Sequence, residues 1–241
     1  MANWYEVYEL PQPGNMMKSG QKGREAFIKL GDSLSGTVSD QITRHFGKID
    51  ETLNVLDFGC GDGRIVLPLY HRHRKPDVCV DVNPISISYL KRILPDAHPQ
   101  VTSFDPPLPF PDESFDCVYS ISVFTHLPLH LQWPWLREIN RILKQGGLAL
   151  ISTSGFRALD YRRKVRQQEG WVNVSDADLR LEGVIYKGVD IRNNPGTVRD
   201  YGYVAHDPEW VRREWGRLFH FKDILLGGAG YVQDLNVMLK A

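Results

Sequence analysis

The segment Val55-Leu56-Asp57-Phe58-Gly59-Cys60-Gly61-Asp62-Gly63-Arg64 constrains this chain more than any other. A short apolar run ends beside an acid, three glycines follow at alternate positions, and an amphipathic stretch begins at once. Glycine is needed where the backbone turns sharply and where a ligand must approach the main chain without meeting a Cβ. The helix that follows offers free amides and the positive end of its dipole to that ligand. A strand, turn and helix of this kind indicate a nucleotide-type cofactor. Two details sharpen the reading. The spacing is GxGxG, with Arg64 where a dinucleotide fingerprint has its third glycine or alanine. Asp57 stands two residues before the first glycine. A carboxylate there is badly placed for a pyrophosphate and well placed for a cationic amino-acid ligand. A second acid, Asp81, closes the next apolar run about 20 residues beyond the turn, where a carboxylate receives ribose hydroxyls.

The surrounding pattern supplies the sheet such a turn requires. Residues 53–58, 77–82, 101–104, 115–121 and 147–152 read as five strands. They are continuous apolar runs, the mark of a parallel sheet covered on both faces. Helices are predicted between them. One covers 64–73, with Pro68 tolerated in its first turns. Asn83-Pro84 opens another, as cap and first residue, that runs to about Leu94. A third covers 131–143 and stops at Gly146-Gly147. Right-handed crossovers then give a doubly wound α/β domain.

The ends of the chain and one internal segment break this rhythm. Residues 1–50 are polar, with turn residues Pro11, Pro13, Gly14, Gly20 and Gly23 and two predicted short helices, 24–30 and 38–46. Trp4, Tyr5 and Tyr8 are expected to pack on the domain or cover a site. Residues 154–206 read as an insertion of mixed structure, helix-like over 158–168 and irregular through Asn194-Pro195-Gly196. Asp207-Pro208-Glu209-Trp210 starts a helix. Residues 218–226 and 232–240 read as an antiparallel pair around Gly227-Gly228-Ala229-Gly230. The expected organisation is one domain: an N-terminal helical cap (1–50), a cofactor-binding core (51–153), an acceptor-side insertion (154–206), and a closing helix and strand pair (207–241).

Composition removes several classes of function. Lys plus Arg and Asp plus Glu each number 29 in 241 residues, so no basic excess points to nucleic acid. No apolar run reaches the length of about 18 residues that marks a membrane helix. The first ten residues lack the pattern of a signal peptide. Cys60, Cys79 and Cys117 form no CxxC and read as reduced thiols of a cytoplasmic protein.

The segment LDFGCGDG resembles the cofactor motif of the class I S-adenosylmethionine-dependent methyltransferases, which are Rossmann-like. Further similar segments follow in order: Asp105 within SFDPPLPFPDESFD, the fourth-strand stretch 116–127, and the helix and turn 136–147. The resemblance covers about residues 50–153. It implies a seven-stranded sheet of order 3-2-1-4-5-7-6 with strand 7 antiparallel and helices on both faces. It implies S-adenosyl-L-methionine as cofactor and S-adenosyl-L-homocysteine as product. The cofactor would be held by Asp57, Gly59, Cys60, Gly61, Gly63, Asp81, Val82, Phe104, Asp105 and Ser120. Phe104 and Asp105 would flank the adenine, with Asp105 accepting its amino hydrogen. The transfer implied is an SN2 displacement, helped by alignment and, for a hydroxyl, by a general base.

His126, just beyond the fourth strand, is the first candidate base, and a structural histidine ordering that loop is the alternative. His206, with Tyr203, is the second candidate, against an exposed residue preceding a helix. The run His71-Arg72-His73-Arg74-Lys75 complements a helix C-terminus as a solvated face. His126 and His130 have helical spacing but no third ligand, so no metal is expected. Arg162, Arg163, Lys164 and Arg166 either hold an anionic acceptor or form a solvated helix face. Trp171, Tyr186, Tyr201 and Tyr203 either line an acceptor pocket or pack the insertion. The expected function is a cytoplasmic methyltransferase acting at oxygen on a sugar, metabolite or peptide. Ser120-Ile121-Ser122-Val123 stands where many amide- and base-methylating enzymes carry an Asn-Pro-Pro-Tyr type segment. An RNA or tRNA methyltransferase and a non-catalytic cofactor- or dinucleotide-binding module are the alternatives. Asp57 and Arg64 weigh against NAD.

Overall fold

A computed structural model describes residues 3–11, 23–74, 77–189 and 201–241. Pro13, Gly14, Gly20, Lys75 and the stretch with Asn194-Pro195-Gly196 lie outside the described residues.

The main sheet holds strands β1 (Val55–Phe58), β2 (Val78–Asp81), β3 (Gln100–Val101), β4 (Phe115–Ser120) and β5 (Leu143–Thr153). The last two main-sheet strands are Phe219–Ala229 and Gln233–Lys240. Numbering all strands in chain order makes them β8 and β9, because a separate pair, β6 (Val184–Gly188) and β7 (Gly202–His206), precedes them. The order is β3-β2-β1-β4-β5-β9-β8, with β9 antiparallel to both neighbours. Counting main-sheet strands alone, this is the predicted 3-2-1-4-5-7-6.

Alternation along the strands builds two cores. Val55, Cys117, Tyr119, Leu148 and Leu150 face one side, where Leu34, Val38 and Ile42 of the long helix α2 (Gly23–Phe46) cover them. Leu56, Phe58 and Val118 face the other side. There Trp135, Leu136 and Ile139 of α5 (Leu129–Ile142) and Trp215 of α8 (Pro208–Trp215) pack. A third cluster joins Trp4 and Phe27 to Val66 and Leu67 of α3 (Val66–His73) and Ile87 and Leu90 of α4 (Pro84–Ile93). The Asn83 side chain caps α4 by accepting from the Ile85 amide at 3.0 Å, as the Asn-Pro start predicts.

The N-terminal aromatics do pack. Trp4, in the short helix α1 (Trp4–Val7), is 4% exposed and its Nε1 donates to Asp32 Oδ1 at 2.7 Å. The predicted pair of short helices is instead the single 24-residue α2. Gly31 lies mid-helix for close approach, since a Cβ there would meet the Arg64 carbonyl at 2.8 Å.

Other boundaries move for local reasons. β3 is only two residues, because the chain departs after the Thr102 amide bonds to the Asp81 carbonyl. α5 ends at Ile142, since Leu143 is already extended; Gly146-Gly147 belong to β5. Gly227 and Gly228 belong to β8, and the turn follows them. Within the insertion, α6 (Phe156–Asp160) runs into a π-type turn, Tyr161–Val165, and α7 (Asp176–Glu182) leads into β6. Residues 202–206, expected as the approach to a helix, form β7.

Candidate cofactor and acceptor site

The glycine turn sits at the carboxyl end of β1, the central strand of the parallel part, where doubly wound sheets bind ligands. Its three glycines do different work. Gly59 has φ +81°, and a Cβ there would lie 2.2 Å from Val123 Cγ2. Gly63 is likewise packed, against Leu90. Gly61 has φ +50° and nothing within 4 Å of where its Cβ would be. Gly59 and Gly63 therefore let the turn seat on its neighbours, and Gly61 leaves room above it. The amides of Gly59 and Cys60 both bond to the Val80 carbonyl. The Cys60 thiol is buried, and burial pushes it well above its ordinary range, so only its main chain borders the turn.

Asp57 is 2% exposed and its Oδ2 has no hydrogen-bond partner among the described residues. Burial raises its pKa, and nearby Asp77 adds to this; a hydrogen bond from Tyr119 acts the other way. Asp81 Oδ2 accepts from the Gly61 amide and Oδ1 from the Asn83 amide, each at 2.8 Å. Burial raises Asp81 too, against the pull of these amides. Val82 is half-buried beside it. Ser120, at the end of β4, is fully buried with Oγ unpartnered among the described residues. Phe104 is half-buried, and its carbonyl accepts from Trp135 Nε1, whose ring packs 4.7 Å from Phe58. Asp105 is exposed. An unpaired buried carboxylate oxygen, an unpaired buried hydroxyl and an open glycine at one sheet edge fit a bound ligand with a cationic, hydrogen-bonding head.

The loop after β4 carries the second half of the site. His126 Nδ1 donates to the Gly202 carbonyl at 2.8 Å, which leaves Nε2 to accept from the Tyr201 hydroxyl at 3.3 Å. The two rings stack with centroids 4.5 Å apart, and Tyr203 lies 5.3 Å away. Burial pushes His126 down to about 4; the Gly202 bond opposes this, and the Arg162 charge reinforces it. Main-chain bonds join β7 to the loop after β4, Gly202 N to His126 O and Val204 N to Thr125 O, and to the end of β5, His206 N to Ser154 O.

His206 does not join this group. It is fully buried, its Nε2 lies 3.2 Å from Gln132 Oε1, and its ring meets Trp215 edge-on. Side chains three apart on a strand point to opposite faces, so Tyr203 and His206 cannot face one site together. Burial pushes His206 down to about 3. The basic cluster of the insertion also divides. Lys164 is exposed, and Arg163 pairs with Asp160 and Asp176. Arg162 turns inward and is 8% exposed. Neither that inward turn nor the His126–Tyr201 pair has a local signal, since the latter residues are 75 apart. Among the described residues no cluster of three or more His, Cys, Asp or Glu could hold a metal.

Residues 56–151 match a methyltransferase-domain family. A malonyl-[acyl-carrier protein] O-methyltransferase of Halorhodospira halophila is 32% identical over 130 residues, 51% of this chain and 40% of the relative. The tRNA N(3)-cytidine methyltransferase METTL2 of Bos taurus is 21% identical over 173 residues, 63% of this chain and 46% of the relative. The chain thus spans less than half the length of either relative. Two solved structures share the fold. The PH0226 protein of Pyrococcus horikoshii has a TM-score of 0.61 and 17% identity, with 86% of this chain and 89% of that one covered. A SAM-dependent methyltransferase of Methanosarcina mazei has a TM-score of 0.56 and 19% identity, with 83% and 96% covered. Residues 56–151 are thus similar to a methyltransferase domain, and the chain shares the fold of a SAM-dependent methyltransferase.

Proposed function

We propose that this protein transfers a methyl group from S-adenosylmethionine to an oxygen atom of a small-molecule or biosynthetic-intermediate acceptor. The observation that carries the reading is the buried Oδ2 of Asp57, unpartnered among the described residues, at the sheet edge where Gly61 leaves open space. The cofactor supplies a methyl carbon already activated on a sulfonium. Asp57 receives the amino-acid end, where a cation satisfies the unpaired oxygen, and Ser120 Oγ borders the same end. Asp81 receives the ribose hydroxyls, with its position held by the Gly61 and Asn83 amides. Phe104, Asp105 and Val82 border the adenine. Gly59, Cys60 and Gly63 shape the turn.

The acceptor enters between the loop after β4 and the insertion 154–206, over the His126–Tyr201 stack. A histidine held near 4 is a weak base at neutral pH, so the role assigned to His126 is to fix, through Nε2, the Tyr201 hydroxyl beside the acceptor. His206 is left out, since it is fully buried. The O-methyltransferase relative and the Ser120–Val123 segment support oxygen as the target. The tRNA methyltransferase relative supports an RNA acceptor as the second reading, and the balanced charge opposes it. Three buried free cysteines support a reducing compartment and a cytoplasmic setting.

Calorimetry with S-adenosylhomocysteine and with NAD tests the cofactor half. S-adenosylhomocysteine should bind, and Asp57→Ala and Asp81→Ala should each abolish that binding. NAD binding in its place would overturn the assignment, and wild-type affinity in both variants would remove the site.

A further inference from the structure

Arg162 is a buried cation with no acid paired to it among the described residues. Its Nη1 donates to the Val204 carbonyl at 2.7 Å and its Nη2 to Ser154 Oγ at 3.0 Å. The guanidinium lies over Trp171 at 4.8 Å and over Tyr203 at 5.3 Å. Among the described residues no carboxylate pairs with it, whereas its neighbour Arg163, which is more exposed, takes two. A guanidinium has five N–H donors, and neutral oxygens occupy two of them here. Buried charges are ordinarily paired, because neutral partners and ring faces return only part of the lost hydration. This one stands behind Tyr203, whose ring also meets those of His126 and Tyr201. Thr125 Oγ1, on the loop that β7 joins, is buried and unpartnered among the described residues.

We propose that the acceptor is a carboxylic acid, ionised as it arrives, which Arg162 draws to the His126–Tyr201–Tyr203 face and which is methylated to an ester. This rests on the methyltransferase reading above and deepens it. One carboxylate oxygen attacks the methyl carbon, the C–O bond forms as the C–S bond breaks, and the electron pair stays on sulfur. The negative charge of the acid and the positive charge of the sulfonium cancel, and no proton moves. No general base is then needed, in keeping with a weakly basic His126 and an inaccessible His206. The ester no longer carries the charge that Arg162 attracts, so the product leaves more readily than the substrate.

The test incubates the full chain with methyl-tritiated S-adenosylmethionine and a small-molecule extract, followed by alkali. Carboxyl methyl esters release their label as methanol under alkali, and methyl ethers and methylamines do not. Most of the label should be released. In parallel, a panel of aliphatic and aryl carboxylates, each with its amide as control, is titrated into protein saturated with S-adenosylhomocysteine. At least one acid should bind and its amide should not. For that acid, Arg162→Met should raise KM and Kd about 10- to 100-fold, with S-adenosylhomocysteine affinity unchanged. Arg162→Lys, which keeps the charge, should recover part of the loss and guards against misfolding of the Met variant. Alkali-stable label, or no transfer by protein that binds S-adenosylhomocysteine, would overturn the acid. Failure to bind S-adenosylhomocysteine would instead overturn the underlying reading.

Discussion

Replacing Gly59 by alanine places a methyl carbon 2.2 Å from Val123 Cγ2, on a backbone whose φ is +81°. Two costs follow, and they can be separated. The left-handed backbone costs an L-residue roughly 1–2 kcal/mol. Forcing a methyl group into a filled contact costs about 1–3 kcal/mol. Their total, about 2–5 kcal/mol, corresponds to a fall in Tm of roughly 4–20 °C at this chain length. Val123→Ala removes Cγ2 and so relieves the second cost alone. In a double-mutant cycle followed by urea unfolding, the two substitutions should couple favourably by about 1–3 kcal/mol. The double variant should still fall about 1–2 kcal/mol short of Val123→Ala, since the backbone cost persists. Additivity within about 0.5 kcal/mol would refute the claim that Gly59 exists to seat the turn on Val123.

Three further outcomes follow from the same structure. Asp57→Asn removes a buried carboxyl whose folded pKa lies above its unfolded value, so ionisation opposes folding at pH above about 4. The variant should therefore melt higher than wild type at neutral pH while losing S-adenosylhomocysteine affinity; a lower Tm would contradict the assigned burial cost. His126 and His206 are pushed down to about 4 and about 3 from 6.5, so unfolding takes up protons as pH falls below 6.5. Their contribution is complete above that pH and is lost on acidification. The stability gap between wild type and His206→Gln isolates one such proton from the carboxylates, of which the raised Asp57, Asp81 and Asp234 act in the opposite sense. It should narrow between about pH 7 and pH 5, and a constant gap would sink the account. Trp4→Ala empties a site 4% exposed and breaks the bond to Asp32. It should cost about 3–5 kcal/mol by chemical denaturation, whereas a change under about 1 kcal/mol would show the N-terminal segment to be loosely attached.

The parallel sheet was legible because β1, β2, β4 and β5 are short apolar runs buried on both faces, each followed by a turn signal. The glycine turn was legible for the same reason: Asp57, the glycines and Asp81 stand at strand ends whose positions follow from local pattern. Misreadings arose where tertiary contact overrides local signal. Gly31 and Gly36 suggest a break in α2, yet close packing on the turn and on Trp4 keeps the helix whole. β6 is half-buried over four residues, so it lacks the alternation that marks a strand. The division of the arginines 162 and 163 depends on which one the π-type turn points inward, and no spacing rule reports that.

The main-chain bonds between β7 and the loop after β4 also bear on how the molecule moves. They tie the insertion to β4, whose end lies at the same sheet edge as the glycine turn, so the insertion is built onto the sheet and is not a lid on a free hinge. Amide protons of Val204 and His206, buried within that join, should exchange with solvent only when β4 and β5 themselves open. Those of β6, on the open edge of the two-stranded pair, should exchange by local fraying. Transplanting an insertion from a protein of the same fold would therefore need a matching edge at residues 125 and 154, whatever pocket it carried.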